Sequence, residues 1–188
     1  LEKVKKLREI TGVGFKDCKL AIDENNGDIE KSIDFLRKKG IAKANKKMER
    51  IAADGLISIY EKDNNFSIIE INSETDFVAK NNEFINFVEE ASQLAFLSSG
   101  QIEKLISLKM KNKKSVKDSL VDLIAKMGEK ITLRRSNFIE SKECINFSYI
   151  HSSIKKNLGK IGVLLSFKSS IKKDDLEEFG KQLCMHIA

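Results

Sequence analysis

The residue types best suited to chemistry lie in one short stretch, 71–84, which reads INSETDFVAKNNEF. It places the carboxylate of Asp76 directly before the aromatic ring of Phe77. Two further carboxylates, Glu70 and Glu74, stand close by in the sequence. General acid–base catalysis would need a histidine or a second titratable cluster beside them, and the sequence pattern offers neither. The stretch therefore favours binding over catalysis.

Phe77 has two alternative roles in this pattern. It precedes Phe84 by seven residues, so an uninterrupted helix would place its ring on the buried stripe of the following helix. Asn81 and Asn82 argue against continuity, and they predict a short helical turn over 75–80 with a new N-cap at 81 or 82. In that case the ring faces a partner. Periodicity alone leaves both the core role and the partner role open.

The other motifs do not indicate catalysis or a bound cofactor. Gly12 and Gly14 lack the rest of a phosphate-binding loop and follow no strand, so they predict a helix-breaking turn. His151 lies in a strand pattern. Cys184 and His186 form a lone close pair, which is too few donors for a metal site. We therefore expect no metal, no cofactor and no enzymatic reaction.

Composition indicates a soluble globular protein with no membrane association. Hydrophobic residues make up 41% of the 188 positions, and no apolar run is long enough to span a membrane. Three separated cysteines suggest no disulfide framework and fit the reducing cytoplasm. Most of the net charge of +6 comes from the first 50 residues, where KKGIAKANKKMER is strongly basic. No aromatic residue in that run could stack on bases, so a solvated helix face is favoured over a nucleic-acid site.

The N-terminal part of the chain predicts a small helical unit over residues 1–40. TGVG and ENNG separate three patterns of helical spacing, and KKG closes the third. Residues 41–53 then continue as a basic linker helix that ends at Asp54-Gly55. The apolar stripes of the three helices are Val4, Leu7 and Ile10, then Phe15, Cys18, Ala21 and Ile22, then Ile29, Ile33 and Leu36.

The rest of the chain predicts an α+β fold built from two similar units. GLISIY and NFSIIEI form a first hairpin, followed by a helix with a regular apolar stripe, helical patterns at 101–110 and 115–127, and a strand in KITLRRSNFIE. FSYIH and IGVLLSF form a second hairpin, followed by a helix with Leu176, Phe179, Leu183 and Ile187 on one face. We expect two related subdomains, 55–140 and 141–188, each a small antiparallel sheet packed by helices.

Four segments resemble the elongation factor Ts family. They are LREITGVGFKDCKLAIDENNGDIEKSIDFLRKKG, EINSETDFVAKNNEF, LIAKMGEKITLRR and KQLCMHIA, and together they extend over almost the whole chain in register. The resemblance implies a guanine nucleotide exchange factor that binds the GDP form of elongation factor Tu and promotes GDP release. It also implies that the N-terminal unit is similar to ubiquitin-associated three-helix domains.

The resemblance further implies which residues contact Tu. Asp76 and Phe77 match the pair that enters a cleft between helices of Tu and disturbs the bound magnesium ion and phosphate loop. Phe15 and Lys16 stand where many relatives have two methionines. The full set of expected contact residues is Val13, Gly14, Phe15, Lys16, Thr75, Asp76, Phe77, Val78, Met127, Gly128 and His151.

Several alternatives stay open at this point. A nucleic-acid-binding role for the basic N-terminal region would show itself as RNA binding with a steep salt dependence. A second alternative is that the protein is an adaptor that binds ubiquitin-like ligands through the three-helix unit. Some members of the family are short and dimeric, which leaves a homodimer or a 2:2 complex open. Longer members continue after the sequence MHIA, so we expect 141–188 to be an incomplete subdomain.

Overall fold

The N-terminal unit is a three-helix bundle, as predicted. The computed structural model of the protein describes residues 1–47 and 49–188, and for residues 43 and 45 the backbone only. Helices α1 (Glu2–Thr11), α2 (Phe15–Glu24) and α3 (Ile29–Lys47) enclose a small core. The side chain of Ile10, which was expected in that core, is 55% exposed. The core consists of Val4, Leu7, Cys18, Ala21, Ile22 and Leu36.

The third helix does not end at the predicted glycine. Helix α3 runs through Gly40 to Lys47, and residues 49–53 are not helical, so the linker helix predicted over 41–53 is wrong for residues 49–53. Residue 48 of that segment lies outside the described residues. A Cβ atom at Gly40 would come within 3.3 Å of Ala125 Cβ. The glycine therefore permits close helix packing where the sequence pattern suggested a helix end.

The strands form one sheet, which corrects the prediction of two separate sheets. Its antiparallel strands follow the order β3-β2-β1-β5-β4. Each hairpin is paired along most of its length, whereas β1 and β5 are joined by two residue pairs, Ile57–Gly159 and Ser58–Leu158. The strands are β1 (Asp54–Lys62), β2 (Asn65–Ser73), β3 (Ile131–Ile139), β4 (Ile145–Lys155) and β5 (Leu158–Phe167).

The main core lies between this sheet and the helices that follow β2. Helix α5 (Asn82–Leu97) packs on β1 and β2 with the predicted stripe, and Phe84 and Val88 are fully buried. Helix α7 (Val116–Met127) adds Leu123 and Ile124 to the same core. Of the helix predicted over 101–110, only α6 (Ile102–Leu105) is helical. A single turn, α4 (Asp76–Ala79), connects β2 to α5.

The last helix, α8 (Glu177–Ile187), follows a 3-10 turn at Asp174–Leu176. Its buried face overlaps the predicted one only in part, since Leu176 and Leu183 are half-buried. Phe179 and Ile187 are each 55% exposed, whereas Gly180 and Cys184 are buried. A Cβ atom at Gly180 would lie 2.5 Å from the Phe147 ring, so the glycine lets the helix backbone approach the sheet directly. No described helix is both long enough and apolar enough to cross a membrane.

Candidate protein-binding site

The segment Thr75–Val78, here called the TDFV turn, forms the start of α4. The backbone of Thr75 is extended, and its hydroxyl accepts a hydrogen bond from the Val78 backbone N–H at 3.5 Å. This is N-capping, in which a side-chain oxygen accepts from an otherwise unpaired N–H in the first turn. The predicted short turn and the new cap are both confirmed, because Asn81 caps α5 through the backbone N–H of Glu83 at 2.8 Å.

The ring of Phe77 points away from the protein. Its side chain is 81% exposed, although the adjacent Val78 is only 7% exposed and Ala79 is fully buried. The core role for Phe77 is therefore wrong. An aromatic ring in water gains none of the free energy of burial, about 1.5–3 kcal/mol, until another surface covers it. The turn thus uses Val78 for folding and leaves Phe77 available for binding.

The carboxylate of Asp76 is held by a lysine of the same turn. Lys80 Nζ lies 2.6 Å from Asp76 Oδ2, at the i, i+4 spacing that brings side chains together on a helix. This hydrogen bond raises the pKa of Lys80 above its ordinary value, so the amine stays charged. The Asp76 side chain remains 44% exposed, which leaves it accessible to further hydrogen-bond donors.

A glutamate from a distant part of the chain braces the turn. Glu129 accepts two hydrogen bonds from Thr75, one from the backbone N–H at 3.0 Å and one from the hydroxyl at 2.7 Å. Its neighbour Lys130 donates a backbone N–H to Glu74 at 2.5 Å, and Arg50 Nη1 lies 3.4 Å from the same carboxylate. Both contacts lower the pKa of Glu74 and keep it ionised. The connector Gly128–Lys130 therefore fixes the backbone that presents Phe77.

The predicted pair Met127 and Gly128 lies beside this brace. Gly128 ends α7 with φ 75, a left-handed conformation that glycine adopts without strain, and its N–H donates to Ile124 O at 3.0 Å. Lys47 Nζ donates to the Gly128 carbonyl oxygen, which ties α3 to the same connector. Met127 is half-buried against the main core. Because Glu129 follows directly, the structure brings Met127 and Gly128 close to the TDFV turn.

The predicted loop Val13–Lys16, whose last two residues begin α2, lies near the same end of α7. A Cβ atom at Gly12 would come within 2.7 Å of the Lys126 side chain, which itself pairs with Glu83 at 2.6 Å. The loop is joined to α2 by a hydrogen bond, in which the thiol of Cys18 donates to the carbonyl oxygen of Val13 at 3.3 Å. Gly14, Phe15 and Lys16 are exposed.

The predicted residue His151 lies elsewhere. It is exposed on β4, and its Nδ1 is 3.2 Å from the hydroxyl of Tyr149 on the same strand. Strand β4 is at the edge of the sheet, and β5 and β1 lie between it and β2, the strand that leads into the TDFV turn. Three of the four predicted segments therefore converge around the end of α7, and the fourth stands apart on the sheet.

The basic run uses much of its charge within the molecule. Lys38 pairs with Asp34 at 3.5 Å, and Lys39 pairs with Asp17 at 3.0 Å. Lys47 and Arg50 hold the brace described above. These contacts are consistent with a structural use of the positive charge. Within residues 1–47 and 49–188, no group of three or more histidine, cysteine or acidic side chains is placed to hold a metal ion.

Sequence reasoning missed the residues that support the site. Glu129 is 54 positions away from Thr75, so no local pattern indicates their contact. A weak indication of this contact is that Glu129 directly follows Gly128, the glycine that ends a helix. Lys80 could have been found, because an acidic and a basic residue four positions apart on a helical turn form a standard pair.

Comparison with known proteins gives a consistent result. The family described as Elongation factor TS matches residues 74–188. The chain is 45% identical over 186 residues to Elongation factor Ts of Methylorubrum populi. It is 44% identical to proteins of the same name from Methylobacterium sp. strain 4-46 and Bartonella quintana. Each match covers 98% of this chain but 61% of the relative, so the chain spans less than two thirds of their length.

Proposed function

The chain belongs to the elongation factor Ts family, and from this we propose that it is a guanine nucleotide exchange factor for elongation factor Tu. It binds Tu carrying GDP and promotes GDP release, so that GTP can take its place. The observation that carries the proposal is the braced TDFV turn, which holds the ring of Phe77 81% exposed beside the carboxylate of Asp76.

The physical basis of the proposal is differential affinity. A factor can shift its partner towards the nucleotide-free conformation only by binding that conformation more tightly than the GDP-bound one. Burial of one aromatic ring provides roughly 1.5–3 kcal/mol, and each 1.4 kcal/mol changes the ratio of the two states about tenfold. Phe77 supplies such a ring in the manner of an interface hot spot. Asp76 supplies a carboxylate for hydrogen bonds that form only in the shifted state.

The remaining predicted residues extend this contact. Met127 and Gly128 and the loop Val13–Lys16 lie around the end of α7, on the same part of the molecule as the TDFV turn. We assign them to the Tu interface, with the three-helix unit acting as a docking domain of the ubiquitin-associated type. His151 marks a separate contact on the sheet.

The proposal places the activity in translation, and hence in the cytoplasm. Exchange by binding requires no covalent chemistry, no cofactor and no direct contact with nucleic acid. A 1:1 complex, a homodimer and a 2:2 complex all fit the proposed mechanism. In the same scheme, residues 55–140 carry the TDFV turn, and residues 141–188 add β4, β5 and α8 to the structure that supports it.

A nucleotide-release assay tests the proposal. Tu loaded with a fluorescent GDP analogue is mixed with excess GDP and catalytic amounts of this protein, and the loss of fluorescence is followed. We expect the parent protein to accelerate release, and Asp76→Ala and Phe77→Ala to slow that release at least tenfold. Phe179→Ala is the matched control, because it removes a ring that is 55% exposed on α8.

Two results would contradict the proposal. One is the absence of any acceleration by the parent, with the loaded Tu shown to release nucleotide when magnesium is chelated. The other is release by the Phe77→Ala protein at the parental rate.

A further inference from the structure

A second apolar side chain is as exposed as Phe77. Ile51, in the segment between α3 and β1, is 84% exposed, compared with 81% for Phe77. Single exposed apolar residues are common on protein surfaces and need no explanation by themselves. The position of Ile51 relative to Phe77 is what gives it significance.

The pairing of β1 with β2 brings the two residues to the same end of the sheet. Asp54 is paired with Ser73, at the point where β1 begins and β2 ends. Ile51 lies three residues before Asp54, and Phe77 lies four residues after Ser73. Paired positions on antiparallel strands are roughly 4.5–5.5 Å apart, so the two segments leave the sheet side by side.

Contacts beyond the sheet keep the two segments together. Arg50 Nη1 lies 3.4 Å from each carboxylate oxygen of Glu74. Lys130 donates its side-chain amine to the carbonyl oxygen of Arg50 at 2.8 Å and its backbone N–H to Glu74 at 2.5 Å. The connector that braces the TDFV turn therefore also fixes the residue directly before Ile51.

We propose that Ile51 is a second apolar anchor of the surface that carries Phe77, and that both side chains insert into the same partner. The inference rests on the proposed function, so that partner is elongation factor Tu. Arg50 and Glu74 also lie in this surface, and their opposite charges are paired with each other. A partner can cover it without burying an unpaired charge, as in interfaces where polar groups surround apolar anchors.

Substitutions of exposed residues test the proposal without disturbing the fold. Ile51→Ala and Ile51→Asp are compared with Leu97→Ala, which removes a side chain that is 73% exposed. Leu97 ends α5, and the 16 residues of that helix extend about 24 Å away from the TDFV turn. Thermal unfolding of all three variants is expected to match that of the parent.

Affinity for Tu is then measured by titration, together with the rate of GDP release. We expect Ile51→Ala to weaken the affinity about three- to tenfold and Ile51→Asp by more than tenfold. Leu97→Ala is expected to stay within twofold of the parent. If Ile51→Ala binds Tu with parental affinity in an assay where Phe77→Ala binds weakly, Ile51 is not an anchor. The proposed function would stand in that case.

Two further outcomes would overturn the inference. If the parent neither binds Tu nor accelerates release, the proposed function fails and the anchor fails with it. Analytical ultracentrifugation could show that the parent self-associates, whereas Ile51→Ala is monomeric and keeps the parental affinity for Tu. In that case Ile51 contacts a second copy of this chain and not Tu.

Discussion

At the scale of single residues, neighbouring side chains of the TDFV turn have opposite environments. Phe77 is 81% exposed and Val78 is 7% exposed, although they are adjacent in the chain. Both residues belong to the single turn of α4. Glu129 fixes this turn by accepting hydrogen bonds from the backbone N–H and the hydroxyl of Thr75. The local pattern of the sequence predicted the turn. It could not predict the glutamate, because that contact depends on how distant segments pack.

Replacing the bracing glutamate is expected to destabilise the protein. In Glu129→Ala, the N–H and hydroxyl of Thr75 lose their acceptor, and hydrogen bonds to charged groups contribute about 1.5–3 kcal/mol. We expect the free energy of unfolding in urea to fall by about 1–3 kcal/mol and GDP release to slow. Glu103→Ala, at an exposed position of α6, is the control and should change stability by less than about 0.5 kcal/mol. Equal stability of the two variants would contradict the bracing role.

A second carboxylate, Glu70, makes stability depend on pH. Burial alone would raise its pKa, but hydrogen bonds from Arg134 at 2.7 Å, Arg135 at 2.5 Å and Asn72 at 3.2 Å outweigh that effect and lower it. Since the pKa in the folded state lies below the ordinary value of 4.5, ionised Glu70 stabilises the fold at neutral pH. This stabilisation is lost as the pH falls through the lowered pKa.

The variant Glu70→Gln tests this dependence. We expect it to be less stable than the parent at pH 7, because it cannot form charged hydrogen bonds with the two arginines. The difference in urea midpoint should shrink as the pH is lowered below about 4.5, where the parental carboxylate also becomes neutral. A difference that stays constant from neutral to acid pH would be inconsistent with the lowered pKa.

At the scale of elements, the sequence predicted what local chemistry determines. Asn81 and Ser115 cap α5 and α7 through the backbone N–H groups of Glu83 and Asp118, at 2.8 and 3.0 Å. Gly128 ends α7, in agreement with the helical pattern predicted over 115–127. Hairpin pairing, capping and apolar periodicity all depend on residues close in sequence. That is why they could be predicted without knowing the fold.

Two elements differed from expectation because distant contacts decide them. The β1–β5 pairing joins residues about a hundred positions apart, so nothing in either hairpin indicates that they share a sheet. On α8, periodicity selected Phe179 and Ile187, but Gly180 allows the helix to rest on Phe147 along a neighbouring face. A glycine in a helix contributes nothing to an apolar stripe, so this packing was missed.

The contact at Gly180 can be tested by adding one methyl group. Gly180→Ala places a Cβ atom 2.5 Å from the Phe147 ring, so either α8 or the ring must shift. Overpacking of this kind costs about 1–3 kcal/mol, and we expect a corresponding fall in Tm. Met185→Ala, at a position 55% exposed on the same helix, should leave Tm close to the parental value.

A compensating change distinguishes overpacking from other causes. Adding Phe147→Leu to Gly180→Ala creates space for the new methyl group and should recover part of the lost stability. If Gly180→Ala alone is as stable as the parent, the close approach of α8 to the sheet is wrong.

At the scale of the whole molecule, the end of α7 is where the parts of the chain meet. The N-terminal bundle contacts it through Gly40 and Lys47, and the TDFV turn contacts it through the connector Gly128–Lys130. Without this junction, the position of the bundle relative to the sheet would be less constrained. Helix α7 therefore holds the candidate contact segments in fixed positions relative to one another, although few of the contact residues belong to α7 itself.

The two-pair junction between β1 and β5 has a consequence for the fluctuations of the native state. Only two residue pairs join β1 to β5, and the further contacts across this junction are mainly single hydrogen bonds, such as those of Ile59 with Asn157 and of Asn146 with Asn64. We therefore expect β4, β5 and α8 to form a cooperative unit with its own opening free energy. In native-state hydrogen exchange at low denaturant, their amides should converge on one value, lower than that of β2 and α5. Convergence of all strands on a single value would show instead that the molecule opens only by complete unfolding. On the expected result, the edge that carries His151 can loosen while the surface around Phe77 stays ordered.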